Sequence, residues 1–204
     1  MSRFFIASKS PRRRQILCEL GFSDFTVLSD NTVLTAFAGD EERRKGEAPA
    51  LYVSRTAREK ALRAFERIRT EKLPLLPVLA ADTAVILDDM VLGKPADRVE
   101  EHYFLSLLSG KTHTVRTVVL VGTNPEDLRE AESVSFVRFK ELTKSEIDWY
   151  CRQDEPYDKA GGYAVQGLAA AFIDHIEGSY SGIMGLPAFE TAALLNAFGI
   201  TQFP

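Results

Sequence analysis

Cysteine is nearly absent: Cys18 and Cys151 are the only two in 204 residues, far apart and without a CxxC pair or Cys/His cluster around them. That excludes a disulfide framework and a structural zinc site, and leaves both thiols as reduced core groups. Histidine is scarce as well, and His102, His113 and His175 fall in neither HxH nor HExxH spacing, which argues against a histidine-bound transition metal. No stretch approaches the roughly 18 consecutive apolar residues that a membrane span needs. The apolar start Phe4-Phe5-Ile6-Ala7 is too short, and too soon followed by Lys9 and Arg12-Arg13-Arg14, to be a signal-peptide core. A cytoplasmic protein with no membrane partner is the expectation. Charge of one sign is also lacking: the formal net charge of −4 argues against a surface that grips nucleic acid throughout, so any basic site must be local.

What remains is the composition of an ordered protein, 45% apolar and 26% charged, with no internal repeat. Its length suits one domain over residues 1–204, divided into two lobes. Phe4-Phe5-Ile6-Ala7 reads as a short buried strand, Pro11 as the first turn of a helix ending at Gly21, and residues 25–28 as a second strand. Residues 29–48 show no steady period and carry the run Asp40-Glu41-Glu42-Arg43-Arg44-Lys45, so they read as a long loop. From Pro49 to about Arg69, Leu51, Val53, Ala57, Ala61, Leu62, Phe65 and Ile68 keep helical spacing. Residues 77–87 form a near-continuous apolar run broken only by Asp82-Thr83; Asp88-Asp89 then reads as a turn into Val91-Leu92.

Asp97 reads as the N-cap of a helix stopping at Gly110. Residues 114–121 and 133–139 predict antiparallel strands, and Thr143 with Glu146 predicts a capping box. Residues 154–167 read as a loop, 169–176 as a strand, 178–185 as a Gly/Ser loop and 187–198 as a last helix. Helices and strands alternate before antiparallel strands enter, which predicts an α/β fold on a single mixed sheet flanked by helices.

Three features carry chemistry. In Ser8-Lys9-Ser10-Pro11-Arg12-Arg13-Arg14, hydroxyls and guanidinium groups flank a helix N-terminus, where free N–H groups and the dipole favour a phosphate-bearing ligand. Cations there oppose the dipole, so a purely solvated basic segment accounts for them less well. Asp82 lies in an otherwise apolar strand, where a carboxylate must bind a metal, pair with a cation or titrate unusually; the competing reading ends the strand at Ala81 and leaves Asp82 capping a turn. Lys60 and Lys94, each unremarkable alone, complete a parts list for polyphosphate hydrolysis: spread cationic charge, a divalent ion and a carboxylate to orient water. Hard, oxygen-liganded Mg²⁺ or Mn²⁺ suits this set better than a softer metal. Glu41 and Glu100-Glu101 are further acidic candidates, though the latter pair is also ordinary first-turn helix chemistry.

Taken together, Ile6 to Arg13, Asp40-Glu41, Arg58-Glu59-Lys60-Ala61, Ala81-Asp82-Thr83, Gly93-Lys94-Pro95, Glu155 to Gly161, Gln166-Gly167 and Gly178-Ser179-Tyr180-Ser181 resemble the Maf family of nucleotide pyrophosphatases in order and spacing. The resemblance implies a cleft fold similar to the inosine triphosphate pyrophosphatases, a divalent cation, and hydrolysis of a nucleoside triphosphate to the monophosphate and pyrophosphate. It implies Asp82 as the proton acceptor or metal-binding carboxylate, Glu41 as a metal or water partner, and Ser8, Arg13, Lys60 and Lys94 as triphosphate contacts. A homodimer is a further implication.

Arg12, Thr83 and Gln166 are similar to the branch acting on dTTP and UTP. The Gln166 amide, donor and acceptor side by side, suits the O4/N3 edge of uracil or thymine, although a loop-bracing amide fits the same position. The chain departs from the family pattern in a longer stretch over residues 29–39 and at Gly162 and Ala164. A regulator of septum formation that binds nucleotide without turnover is the alternative within the resemblance. A nucleic-acid module built on Arg12-Arg13-Arg14 is disfavoured by the acidic net charge.

Overall fold

The computed structural model describes residues 3–28 and 43–202. In chain order these form β1 (Phe4–Ile6), α1 (Pro11–Glu19), β2 (Phe25–Val27), α2 (Pro49–Thr70), β3 (Val78–Leu87), β4 (Met90–Leu92) and α3 (Arg98–Leu108). They continue with β5 (Thr112–Gly122), β6 (Arg129–Phe139), α4 (Lys144–Tyr150), β7 (Ile173–Glu177), α5 (Tyr180–Met184) and α6 (Ala188–Ala197). The seven strands make one mixed sheet in the order β2-β1-β3-β5-β6-β7, with β4 also beside β3. β1 runs parallel to β2 and β3, and the remaining pairs are antiparallel. The α/β architecture on a single flanked sheet is therefore the one the sequence predicts.

Local chemistry sets most of these boundaries. Ser10 caps α1 by accepting from the Arg13 N–H, with Pro11 in the first turn, where its missing N–H costs nothing. Asp97 caps α3 through the N–H groups of Val99 and Glu100, and Thr143 with Glu146 closes a capping box on α4. On α2, Val53, Ala57, Ala61, Ala64 and Ile68 repeat at three and four residues and are fully or nearly fully buried. Their small side chains let the helix lie close on the sheet, where Val78, Ala80, Ala84 and Ile86 face it. The opposite face, with Leu79 and Ala81, packs under α1 through Leu17, under α6 through Leu195, and against Leu186 in the turn before α6. Beyond β4, α3, α4 and residues 160–172 pack on the far part of the sheet in a cluster around Leu105, Leu108, Phe139 and Tyr150.

Three expectations are corrected. Cys18 is exposed on α1, so only Cys151 is a core thiol. The strand predicted over residues 169–176 is confined to Ile173–Glu177; Leu168–Phe172 turns as a 3-10 helix instead. Its run of alanines suits either conformation, and Glu155 decides by accepting from the N–H groups of Leu168 and Ala169. The loop predicted over residues 178–185 contains the short helix α5, capped by Ser179 and closed by Gly185 at φ 114°.

The central strand β3 is continuous through Asp82 and Thr83, so the reading in which it stops at Ala81 does not hold. Along one edge it pairs with β5 from Val78 to Ile86. Along the other, β1 meets only Val78 and Leu79, and β4 meets only residues 85–87. Residues 80–84 thus face a break in the sheet. The chain leaving β1 toward α1 and the chain leaving β4 border that break.

Candidate active site

A cleft of about 790 Å³ opens at this break. Its described lining holds Ser8, Arg12, Arg13, Lys60, Asp82, Thr83, Lys94 and Gln166, so eight of the nine residues singled out from the sequence meet in one place. The ninth, Glu41, lies outside the described residues. Lys9, Arg63 and Lys159 add charge, giving seven basic side chains against two carboxylates, Asp82 and Asp158. Such a surplus, focused in a concave site, attracts a polyanion.

Asp82 and Thr83 are neighbours on a strand and therefore point to opposite faces. Asp82 faces α2. Its Oδ1 lies 2.6 Å from Lys60 Nζ, and its Oδ2 accepts from Thr56 Oγ1. Thr56 and Lys60 are four residues apart on α2, one above the other on its inner face. Burial alone pushes the Asp82 carboxyl up, but the charges of Lys60 and Arg13 and the hydrogen bonds from Lys60 and Thr56 outweigh it and hold the group below the usual aspartate range. Asp82 is therefore ionised at neutral pH although only 8% exposed.

Thr83 faces α1 and α5. Arg13 reaches it from α1, with Nη2 3.3 Å from Thr83 Oγ1, Nη1 3.2 Å from Ser8 Oγ and Nε 2.7 Å from the Gly185 carbonyl. Ser8 Oγ also accepts from the Ser10 N–H at 3.2 Å. These contacts fix the guanidinium plane beside the first turn of α1, an arrangement suited to phosphate oxygens. Across the cleft, Arg12 Nη1 lies 3.5 Å from Asp158 and ties α1 to the loop that carries Gln166.

Glu155 braces that loop. Its carboxylate accepts from the Tyr150 hydroxyl at 2.8 Å and from the N–H groups of Leu168 and Ala169 at 2.9 and 3.3 Å. Its carbonyl accepts from Lys159 Nζ at 2.6 Å. A Cβ at Gly167 would lie 2.1 Å from Glu155 Oε2, so a side chain there would displace the bracing carboxylate. Gln166 stands exposed between these anchors with Ala164 and Val165 buried beside it.

Sequence reasoning missed Thr56 and Thr117, and read Glu101 as ordinary first-turn helix chemistry. The first two are hydroxyls that only a tertiary contact distinguishes from solvated threonines. Glu101 lies on α3 with no exposed surface, and neither carboxylate oxygen has a hydrogen-bond partner among the described residues. It abuts Gly162, where a Cβ would sit 1.7 Å from Oε2. Glu101 precedes Phe104, Leu105 and Leu108 by three, four and seven residues, a helical stripe that signalled its inward direction. His113 is a neutral core histidine, its pKa lowered to about 4 by burial, with Nε2 2.7 Å from the Tyr163 hydroxyl.

No group of three or more His, Cys, Asp or Glu side chains among the described residues forms a metal cage. A hard divalent ion needs none when it arrives with a polyphosphate, because one or two carboxylates suffice beside the phosphate oxygens and water. Asp82 fits that role. Its two oxygens offer about four acceptor directions, and Lys60 and Thr56 do not fill them.

The family model described as "Maf-like protein" matches residues 3–198. A protein of Bordetella avium (strain 197N) named dTTP/UTP pyrophosphatase is 52% identical over 199 residues, 97% of this chain and 96% of the relative. One of the same name from Nitrosomonas europaea is 44% identical over 199 residues, covering 98% and 96%. Among solved structures, a HAM1 protein from Coxiella burnetii aligns with a TM-score of 0.43 at 16% identity, over 71% of this chain and 76% of that one. No described helix is long and apolar enough to cross a membrane.

Proposed function

The chain belongs to the Maf family, and on that premise we propose that its cleft hydrolyses dTTP and UTP to the nucleoside monophosphate and pyrophosphate. The observation that carries the chemistry is Asp82, a carboxylate kept ionised at a break in the central strand's pairing and surrounded by the basic groups of the cleft. Attack of water on the α-phosphorus breaks the bond to the oxygen that bridges to the β-phosphorus. Pyrophosphate leaves, and the water's second proton must be accepted. Arg13, held by Ser8, Thr83 and Gly185, and Lys60 and Lys94 take phosphate oxygens and neutralise charge that grows on the leaving group.

Asp82 orients the attacking water and takes its proton. With both Lys60 and Thr56 on it the carboxylate is a weak base; when Lys60 turns to a phosphate oxygen, the carboxylate gains basicity as substrate binds. A divalent ion, Mg²⁺ or Mn²⁺, would be held by Asp82 with the substrate's phosphates and with Glu41, and would supply electrostatic stabilisation of the phosphoryl oxygens. The reading places the enzyme in the cytoplasm as one domain over residues 1–204.

Arg12, Thr83 and Gln166 set base selectivity in this reading. Gln166→Glu keeps size and acceptor capacity and removes the N–H donor that meets a pyrimidine O4. We expect kcat/KM for dTTP and UTP to fall by about tenfold to a hundredfold, the effect of leaving one such pair unmade. A screen of ordinary and modified nucleoside triphosphates, reported as kcat/KM, tests both this variant and the proposed substrates. Equal turnover of purine triphosphates by the wild-type protein would contradict the assignment.

A further inference from the structure

Uracil and hypoxanthine present the same pair of groups to an amide, a carbonyl acceptor beside an imide N–H, so the chemistry of the Gln166 side chain does not tell them apart. They differ in reach, because a purine carries that edge one ring farther from the sugar. Preference for a pyrimidine then depends on where the amide stands.

The loop that carries Gln166 leaves Glu155 and returns to it. Glu155 Oε2 accepts from the Leu168 N–H at 2.9 Å, and Oε1 accepts from the Ala169 N–H at 3.3 Å and the Tyr150 hydroxyl at 2.8 Å. Its carbonyl holds Lys159 Nζ at 2.6 Å, so one residue ties down both the middle and the end of the loop. Gln166 lies between buried Val165 and Gly167, whose N–H bonds the Ala164 carbonyl at 3.1 Å. The place a Cβ would take on Gly167 is filled by Glu155 Oε2. The backbone beside Gln166 therefore rests directly on the Glu155 carboxylate, whereas Glu155 itself is not among the residues that line the cleft.

We propose that Glu155 is a positioning residue that sets how far the Gln166 amide reaches into the cleft, and thereby makes the cleft prefer a pyrimidine to a purine with the same hydrogen-bonding edge. The inference rests on the dTTP/UTP reading of the cleft and adds what places its base reader. A carboxylate suits the task because it is acceptor-only when ionised and takes several N–H groups at once. In Glu155→Gln, whichever oxygen becomes the amide nitrogen meets a backbone N–H, of Leu168 or of Ala169, and the loop lifts. Gly167→Ala reaches the same end from the other side, since its methyl displaces the carboxylate. A lifted loop draws the amide away from uracil and opens room for the larger base.

The test is the ratio of kcat/KM for UTP to that for ITP, the triphosphate whose base is hypoxanthine. Glu155→Gln and Gly167→Ala should each lower it about tenfold, because small misplacements of a positioning contact are costly. The ratio is internal to one preparation, so a partly unfolded variant, which slows both substrates alike, leaves it unmoved. In a Gln166→Ala background there is no amide to place, and Glu155→Gln should change the ratio no further. An unchanged ratio in either single variant, or an equal fall with and without the Gln166 amide, overturns the positioning role and leaves the pyrophosphatase reading intact. A wild-type protein that releases no pyrophosphate from UTP overturns that reading and the positioning role with it.

Discussion

Asp82→Asn should lower kcat for dTTP and UTP by about a hundredfold to ten-thousandfold, the range expected for loss of a positioned proton acceptor. The substitution keeps shape but turns one acceptor oxygen into an NH2 donor, so the amide oxygen stays with Lys60 while Thr56 turns its proton to the Tyr52 carbonyl and accepts from the amide. What it removes is negative charge from the floor of a strongly cationic cleft. Nucleotide affinity without metal should therefore hold steady or rise, because Lys60 and Arg13 lose the carboxylate that competes with phosphate for them. That pairing of lost turnover with retained binding separates a chemical role from a structural one. Breaking a buried ion pair usually costs several kcal/mol, but Lys60 keeps 23% of its side chain exposed to the cleft and can regain water. The Tm should change little. Full activity in Asp82→Asn, or loss of nucleotide binding together with turnover, would count against the assignment.

The second large effect concerns stability. Glu101→Met should raise it by about 2 to 4 kcal/mol at pH 7.5 by removing an acid buried without a partner. Burial pushes the Glu101 carboxyl up from an ordinary value of 4.5 to about 9, so the folded chain retains a proton that the unfolded chain releases. Native protein then binds more protons than unfolded protein between those two values. Its stability falls as pH rises through that window, by up to about 1.4 kcal/mol per unit, and is fully restored below the unfolded value.

Methionine matches the unbranched length and carries no charge, so it should flatten the slope between pH 5 and pH 8 as well as raise the plateau. For a chain of this size the gain corresponds to a Tm increase of about 4 to 16 °C. Urea denaturation of both proteins at pH 5 and pH 8 checks the prediction. Parallel pH profiles with no gain would show that Glu101 is stabilised by something the neighbouring Tyr150, Cys151 and Tyr157 do not supply.

Much of the site was legible because chemistry out of place is conspicuous in a sequence. Asp82 interrupts an apolar run, and arginines crowd a helix N-terminus where the dipole disfavours them. Lys60 lies on a helix whose period is plain. Thr56, one turn earlier on the same face, was not distinguishable from any other helical threonine until β3 brought Asp82 to it. Glu101 was hidden for the opposite reason. A glutamate in a first turn is what a helix ordinarily wants, and its burial depends on what packs against α3, Gly162 included.

The fold errors share a cause. Residues 168–172 are apolar and short, so periodicity cannot separate a 3-10 turn from a strand; Glu155, more than ten residues earlier, makes the choice. For α5, Ser179 and Gly185 did carry the cap signals of a helix, but only five residues lie between them, fewer than a pattern requires. The gap beside Asp82 follows from where β1 ends and β4 begins along β3, a property of pairing that no single segment encodes.

The most direct test of the central claim is product analysis by ³¹P NMR of UTP and dTTP incubated with the wild-type protein and Mg²⁺. Hydrolysis at the α-phosphorus predicts the monophosphate and pyrophosphate in equal amounts, with no diphosphate and no early orthophosphate. Recovery of intact triphosphate would mark a binder without turnover, and appearance of the diphosphate with orthophosphate would mark attack at the wrong phosphorus; either result would contradict the account.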